Sequence, residues 1–140
     1  TKLASVTGWT NSGLETYDYG AIRLNCTIGN TTGWFGFRTF LSGVPTRVQG
    51  YPGDKTYGTQ WGSGDKAWTT TANQMFYRND TYGGMSGSAV WFDQSSPAGP
   101  YIIGVHAYGI HGASPHSVYN HGVRFITSVY NNYLYWRNTW

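Results

Sequence analysis

The stretch Asn79-Asp80-Thr81-Tyr82-Gly83-Gly84-Met85-Ser86-Gly87-Ser88-Ala89-Val90 decides how this chain is read. Its centre, G-x-S-G-S, sets a serine among glycines immediately ahead of a β-branched apolar residue. A reactive serine has to be held at a tight bend while the backbone N–H of a residue two places earlier points at the same spot, and glycines on both sides allow that geometry. Gly83, Gly84 and Gly87 supply them, so Ser86 is the candidate nucleophile. The N–H groups of Gly84 and Ser86 are the candidate donors to a developing alkoxide. Taken alone, such a Gly/Ser turn reads more readily as a hairpin loop. The decision rests on its neighbours.

In Tyr17-Asp18-Tyr19-Gly20-Ala21-Ile22-Arg23-Leu24 an acidic residue opens a short alternating apolar run, which reads as a loop aspartate entering a strand. Two further segments are Gly50-Tyr51-Pro52-Gly53-Asp54-Lys55 and Gly104-Val105-His106-Ala107-Tyr108-Gly109. Together with the Ser86 turn, these segments resemble the glutamyl endopeptidases, the V8-like branch of the chymotrypsin-fold serine proteases, most closely the bacillary members. The resemblance covers essentially the whole chain. It implies an all-β, chymotrypsin-like double β-barrel whose first barrel is incomplete. Residues 1–45 would be the C-terminal part of that first barrel, and residues 46–140 the second barrel with a C-terminal helix.

The same resemblance implies peptide-bond hydrolysis by acyl transfer, with Ser86 attacking and Asp18 fixing the tautomer and orientation of a histidine base. It places His106 against the carboxylate of a substrate glutamate, with Thr81 assisting through its hydroxyl. Tyr108 stands where the bacillary members carry a smaller polar residue, so it would make the pocket wall bulkier. Ala89 replaces a usual proline, a change in strand entry that leaves the nucleophile intact. No cofactor and no metal is expected. His111, His116 and His121 sit in a Gly/Ser/Asn-rich region and read as surface loop residues without metal-ligand spacing.

The base is missing from this chain. Its four histidines, His106, His111, His116 and His121, all follow Ser86, whereas the family's base precedes the aspartate. The chain therefore reads as the larger, C-terminal piece of a cleaved enzyme, partnered by an N-terminal fragment of the same precursor that carries the histidine. A break at a loop tip leaves both pieces able to stay docked, and an incomplete barrel leaves an edge that needs such a partner. If the enzyme makes the cut itself, the residue upstream of Thr1 should match its own specificity.

Composition agrees with a secreted all-β domain: aromatics make up 18%, glycines number 20, and charged residues only 11%. A chain of 140 residues is long enough to bury a core. The net charge of +3 suits acidic substrates, but the basic residues are scattered singly, unlike a nucleic-acid-binding run. No apolar stretch approaches the length of a membrane span, and the start does not read as a signal peptide, so a mature soluble form or fragment is expected. Cys26 is the lone cysteine and reads equally as a buried thiol or as a partner for another chain, including the N-terminal fragment. Asn25, Asn30 and Asn79 head N-x-S/T triplets, of which Asn79 is a poor glycan carrier so near the site.

Strands are expected at 19–24, 34–40, 46–51, 56–61, 74–78, 88–92 and 101–108, punctuated by Gly, Pro, Asn and Asp. Phe125, Ile126, Val129, Tyr130, Tyr133 and Leu134 recur at three and four residues and predict one terminal helix packed on the second barrel. Competing readings are cleavage after Lys or Arg directed by Asp80, a protease-like binding domain using the 7 Trp and 12 Tyr, and Thr1 as an N-terminal nucleophile.

Overall fold

The computed structural model describes residues 1–92 and 100–140. Among the described residues nine strands dominate: β1 (Lys2–Ser5), β2 (Gly20–Arg23), β3 (Gly36–Phe37), β4 (Pro45–Gly50), β5 (Trp61–Thr70), β6 (Gln74–Tyr77), β7 (Ala89–Phe92), β8 (Tyr101–Tyr108) and β9 (Asn120–Arg124). Two four-residue helices, α1 (Thr7–Thr10) and α2 (Gly29–Thr32), lie in the first part of the chain, and α3 (Thr127–Thr139) closes it.

Strand β4 pairs with β5, β5 with β6, β6 with β9, β9 with β8, β8 with β7, and β7 again with β4, all antiparallel. The six strands thus close a barrel, which removes the exposed edges of an open sheet. Period-2 alternation drives the closure most plainly in β4, where Thr46, Val48 and Gly50 face inward between exposed neighbours. Strand β6, Gln-Met-Phe-Tyr, is buried along its whole length. One core fills the barrel with Val48, Met75, Tyr77, Met85, Val90, Phe92 and Ile103. Strands β8 and β9 approach so closely that a Cβ on Gly122 would overlap the Val105 carbonyl, which explains a glycine in the middle of β9.

The first part of the chain is smaller. Strands β1 and β2 form a separate antiparallel pair with Ser5 opposite Gly20, and β3 adds to the barrel by a short parallel pairing with β8. A second core joins this pair to the barrel: Tyr19, Val123, Phe125, Val129 and Trp136 are buried together. Helix α3 makes the joint. Tyr133 stacks on Phe125 with centroids 4.9 Å apart, its hydroxyl donates to the Gly20 carbonyl at 2.9 Å, and Asn132 Nδ2 donates to the Tyr19 hydroxyl at 2.7 Å. Each large side chain buried here contributes roughly 2–3 kcal/mol. The helix therefore packs on the β1–β2 pair as well as on the barrel it was expected to cover.

Several sequence expectations need correction. Residues 56–61 are mostly turn, and the strand there is the ten-residue β5 beginning at Trp61. Only Gly36–Phe37 of the 34–40 segment is strand. Strands β1 and β9 were not anticipated. His121 lies in β9 and is fully buried, which overturns its reading as a surface loop residue. Cys26 is exposed, so the buried-thiol alternative is excluded. Asn79 is fully buried: its Oδ1 accepts from Thr46 Oγ1 at 2.8 Å and its Nδ2 donates to the Ser63 carbonyl at 2.8 Å, leaving no room for a glycan.

Candidate active site

Ser86 sits in the turn between β6 and β7, and the turn is tied to its surroundings on both sides. The Met85 N–H donates to the Tyr82 carbonyl, and the Ser88 N–H to the Met85 carbonyl. Gly87 N–H donates to His106 O at 2.8 Å, and His106 N–H returns the bond to Ser88 O at 2.9 Å. Gly84 has φ +102 and Gly87 φ +87, values that side-chain-bearing residues rarely adopt. A Cβ on Gly84 would stand 2.8 Å from the Tyr51 carbonyl oxygen. Among the described residues, the N–H groups of Gly84 and Ser86 make no hydrogen bond, as donors reserved for a ligand oxygen would require. The Ser86 hydroxyl is exposed and donates to the Ala107 carbonyl at 3.0 Å.

Asp18 follows the 3₁₀ turn Glu15–Tyr17 and precedes β2, as a loop aspartate entering a strand should. Its Oδ2 accepts a hydrogen bond from the Tyr108 hydroxyl at 2.8 Å, ninety positions away in sequence. Burial, and after it the hydrogen bond to Asp18 and that carboxylate's charge, pushes the Tyr108 phenol well above its usual range, so it stays a donor.

His106 lies on β8 and is 3% exposed. Burial lowers its pKa to about 4, with nearby His121 adding to the effect, so the ring is neutral at physiological pH. Tyr77 is 2.8 Å from Nδ1, and burial pushes its phenol upward, which keeps the proton on oxygen. The Tyr77 hydroxyl then donates to Nδ1, and His106 carries its own proton on Nε2. Tyr77 is an orienting residue that no sequence pattern singles out.

Asp18, Ser86, Gly87, His106 and Ala107 line a single cleft of about 680 Å³, whose apolar walls include Phe37, Ile102, Val105 and Tyr133. Thr81 and Tyr108 do not line it; Tyr108 stands behind Asp18, stacked on His121 at 5.3 Å. Asp80 lines a different, smaller cleft of about 80 Å³ with Asp54, Lys55 and Ser63. Its N–H donates to Ser63 Oγ at 2.8 Å.

An unanticipated cluster lies on the far side of Tyr108. Glu15, His111 and His121 bring three donor atoms within 4.8 Å of one another. Burial draws the His121 pKa below the usual imidazole value, against the opposing pull of Glu15.

A closed six-stranded barrel bearing a glycine-framed serine on one of its turns, with a loop aspartate on the same cleft, defines the chymotrypsin-like fold. Comparison with known proteins carries the assignment further. The chain is 43% identical over 146 aligned residues to a "Glutamyl endopeptidase" of Bacillus licheniformis and 42% identical over 142 to an "Extracellular metalloprotease" of Bacillus subtilis, in both cases across 99% of this chain. A solved structure described as Glu endopeptidase in complex with MPD superposes with TM-score 0.85 over 99% of the chain at 28% identity. The chain spans 45% and 43% of the two curated relatives' lengths and 63% of the solved chain. No family model matches the sequence. Along 99% of its length the chain is thus similar to glutamyl endopeptidases of the V8-like, chymotrypsin-fold class.

Proposed function

We propose that this chain is the serine- and aspartate-bearing part of a secreted serine endopeptidase that cleaves after glutamate and, less well, after aspartate. The observation that carries the reading is that Ser86, Asp18 and His106 line one cleft. Ser86 Oγ attacks the scissile carbonyl and forms an acyl-enzyme. A histidine from an N-terminal segment outside these residues takes the serine proton and gives it to the leaving amine, while Asp18 orients that imidazole. The N–H groups of Gly84 and Ser86 receive the oxyanion, and water then releases the acyl group.

For specificity, neutral His106 offers Nε2–H to the substrate carboxylate, and the bound anion in turn favours protonation of the ring, which strengthens the bond. Thr81 and Tyr108 lie outside the lining of this cleft, and Tyr108 acts instead on Asp18, whose carboxylate it holds. In this reading an N-terminal fragment docks to this chain, which would be the larger of the two, with exposed Cys26 as the linking thiol. The word "extracellular" in one relative's name supports secretion, and among the described residues no helix is long and apolar enough to cross a membrane.

The decisive experiment is native intact-mass spectrometry before and after treatment with a fluorophosphonate, on the wild-type protein and on Ser86→Ala. One adduct on Ser86, within an assembly heavier than this chain, is expected, and none on the variant. An adduct that persists in Ser86→Ala refutes the assignment of the nucleophile. Paired peptides differing only in Glu or Lys at the cleavage position test specificity, and preference for Lys refutes the role of His106.

A further inference from the structure

Glu15, His111 and His121 take no part in the chemistry proposed above, yet their donor atoms converge. Glu15 Oε1 lies 3.2 Å from His111 Nε2, and Glu15 Oε2 lies 3.4 Å from His121 Nε2. A tetrahedral zinc ion with ligand bonds near 2.0–2.1 Å holds neighbouring ligand atoms about 3.3–3.4 Å apart. Each imidazole nitrogen therefore stands from one of the two carboxylate oxygens at about that separation, and one donor atom from each residue falls within 4.8 Å of the others. Two imidazoles and a carboxylate are also a donor set suited to that class of ion.

The surroundings orient the ligands. His121 Nδ1 lies 3.5 Å from the Tyr119 carbonyl, an outer contact of the kind that fixes the tautomer of a metal-binding histidine. With the proton on Nδ1, Nε2 can ligate an ion in place of its contact to Glu15 Oε2. Tyr108 stacks on the His121 ring with an interplanar angle of 18° and holds its plane. His116, with its ring 4.7 Å from that of His121, is engaged by Gln74 Oε1 at 3.2 Å, so a water completes the set. His111 and Glu15 are partly exposed and give the ion a way in.

We propose that Glu15, His111 and His121 bind one divalent transition-metal ion of the zinc class. The three ligands come from the 3₁₀ turn before Asp18, the loop after β8, and β9. The ion would clamp the aspartate-bearing turn onto the second barrel and stabilise the fold without entering the acyl-transfer chemistry.

The test is calorimetric titration of the chelator-stripped protein with Zn²⁺ and, for its visible absorption, Co²⁺. Wild type is compared with His111→Ala, Glu15→Gln and Cys26→Ser, all first checked for folding by circular dichroism. One ion per chain is expected, and at free zinc 100 times Kd the folded-to-unfolded ratio should rise about 100-fold. His111→Ala and Glu15→Gln should each weaken binding at least about 10- to 100-fold and abolish the Co²⁺ bands, while Cys26→Ser leaves both unchanged. His111 is exposed, so its variant decides the matter if Glu15→Gln fails to fold. Absence of binding, binding indifferent to His111→Ala, or binding lost in Cys26→Ser overturns the proposal. None of these readouts depends on peptidase activity.

Discussion

The Tyr108 hydroxyl donates a 2.8 Å hydrogen bond to Asp18 Oδ2, joining the end of β8 in the second barrel to the turn that enters β2. The carboxylate assigned to orient the base is therefore itself held by the opposite half of the molecule. A residue read from sequence as a pocket wall acts here on the aspartate.

Replacing Tyr108 with Phe removes that donor and keeps the ring stacked on His121. A hydrogen bond to a charged group that retains some solvent contact contributes about 1 kcal/mol, and a loss of that size is expected in urea unfolding. In the two-chain enzyme proposed above, kcat should fall while KM changes little, because Tyr108 does not line the cleft. A KM increase at constant kcat would show that Tyr108 serves the pocket instead.

His106 makes stability depend on pH. Its pKa of about 4 in the folded protein lies below the usual value of about 6.5, so the unfolded chain binds a proton first as pH falls. Stability is full above about pH 6.5 and declines toward pH 4, by up to roughly 3 kcal/mol. Urea midpoints measured across that window should show the decline in wild type and a flatter profile in His106→Gln. Equal slopes in the two proteins would remove His106 as the cause.

Gly84→Ala forces a side chain into a φ of +102 and toward the Tyr51 carbonyl. Strain of this kind costs roughly 1–3 kcal/mol. The turn should relax by rotating the peptide that carries the oxyanion donor, so the rate of fluorophosphonate labelling at Ser86 is expected to fall at least about 100-fold, as for loss of one oxyanion-hole donor. Wild-type labelling by a destabilised Gly84→Ala protein would separate the glycine from the oxyanion hole.

The barrel and the residues of the cleft were legible because they carry local chemical signatures. Ser86 is framed by glycines that only a strained turn requires, and β8 shows an apolar run bounded by turn residues. Strand β5 was obscured because its Gly-Ser-Gly-Asp-Lys centre suggests a loop, and only its pairing with both β4 and β6 makes it a strand. Strand β9 was hidden in the same way by Asn120, His121 and Gly122, although burial of His121 beside Phe76 is what seats it in the barrel wall. The Glu15 cluster spans more than one hundred positions, and no spacing rule joins a carboxylate at that distance to two histidines. Tyr77 was invisible for a simpler reason: its role depends wholly on where the His106 ring ends up.

In the function proposed above, the reciprocal main-chain bonds between the Ser86 turn and His106 make attack and recognition share one ruler. Side chains alternate along β8, so a slip of one residue against β7 would swing His106 out of the barrel and, through the same bonds, pull Gly87 and Ser88 away from their places. Precision at one end of the substrate is thus inherited from precision at the other. A change of taste in this scaffold has to come from side chains, because the backbone cannot be retuned for selectivity without blunting the nucleophile.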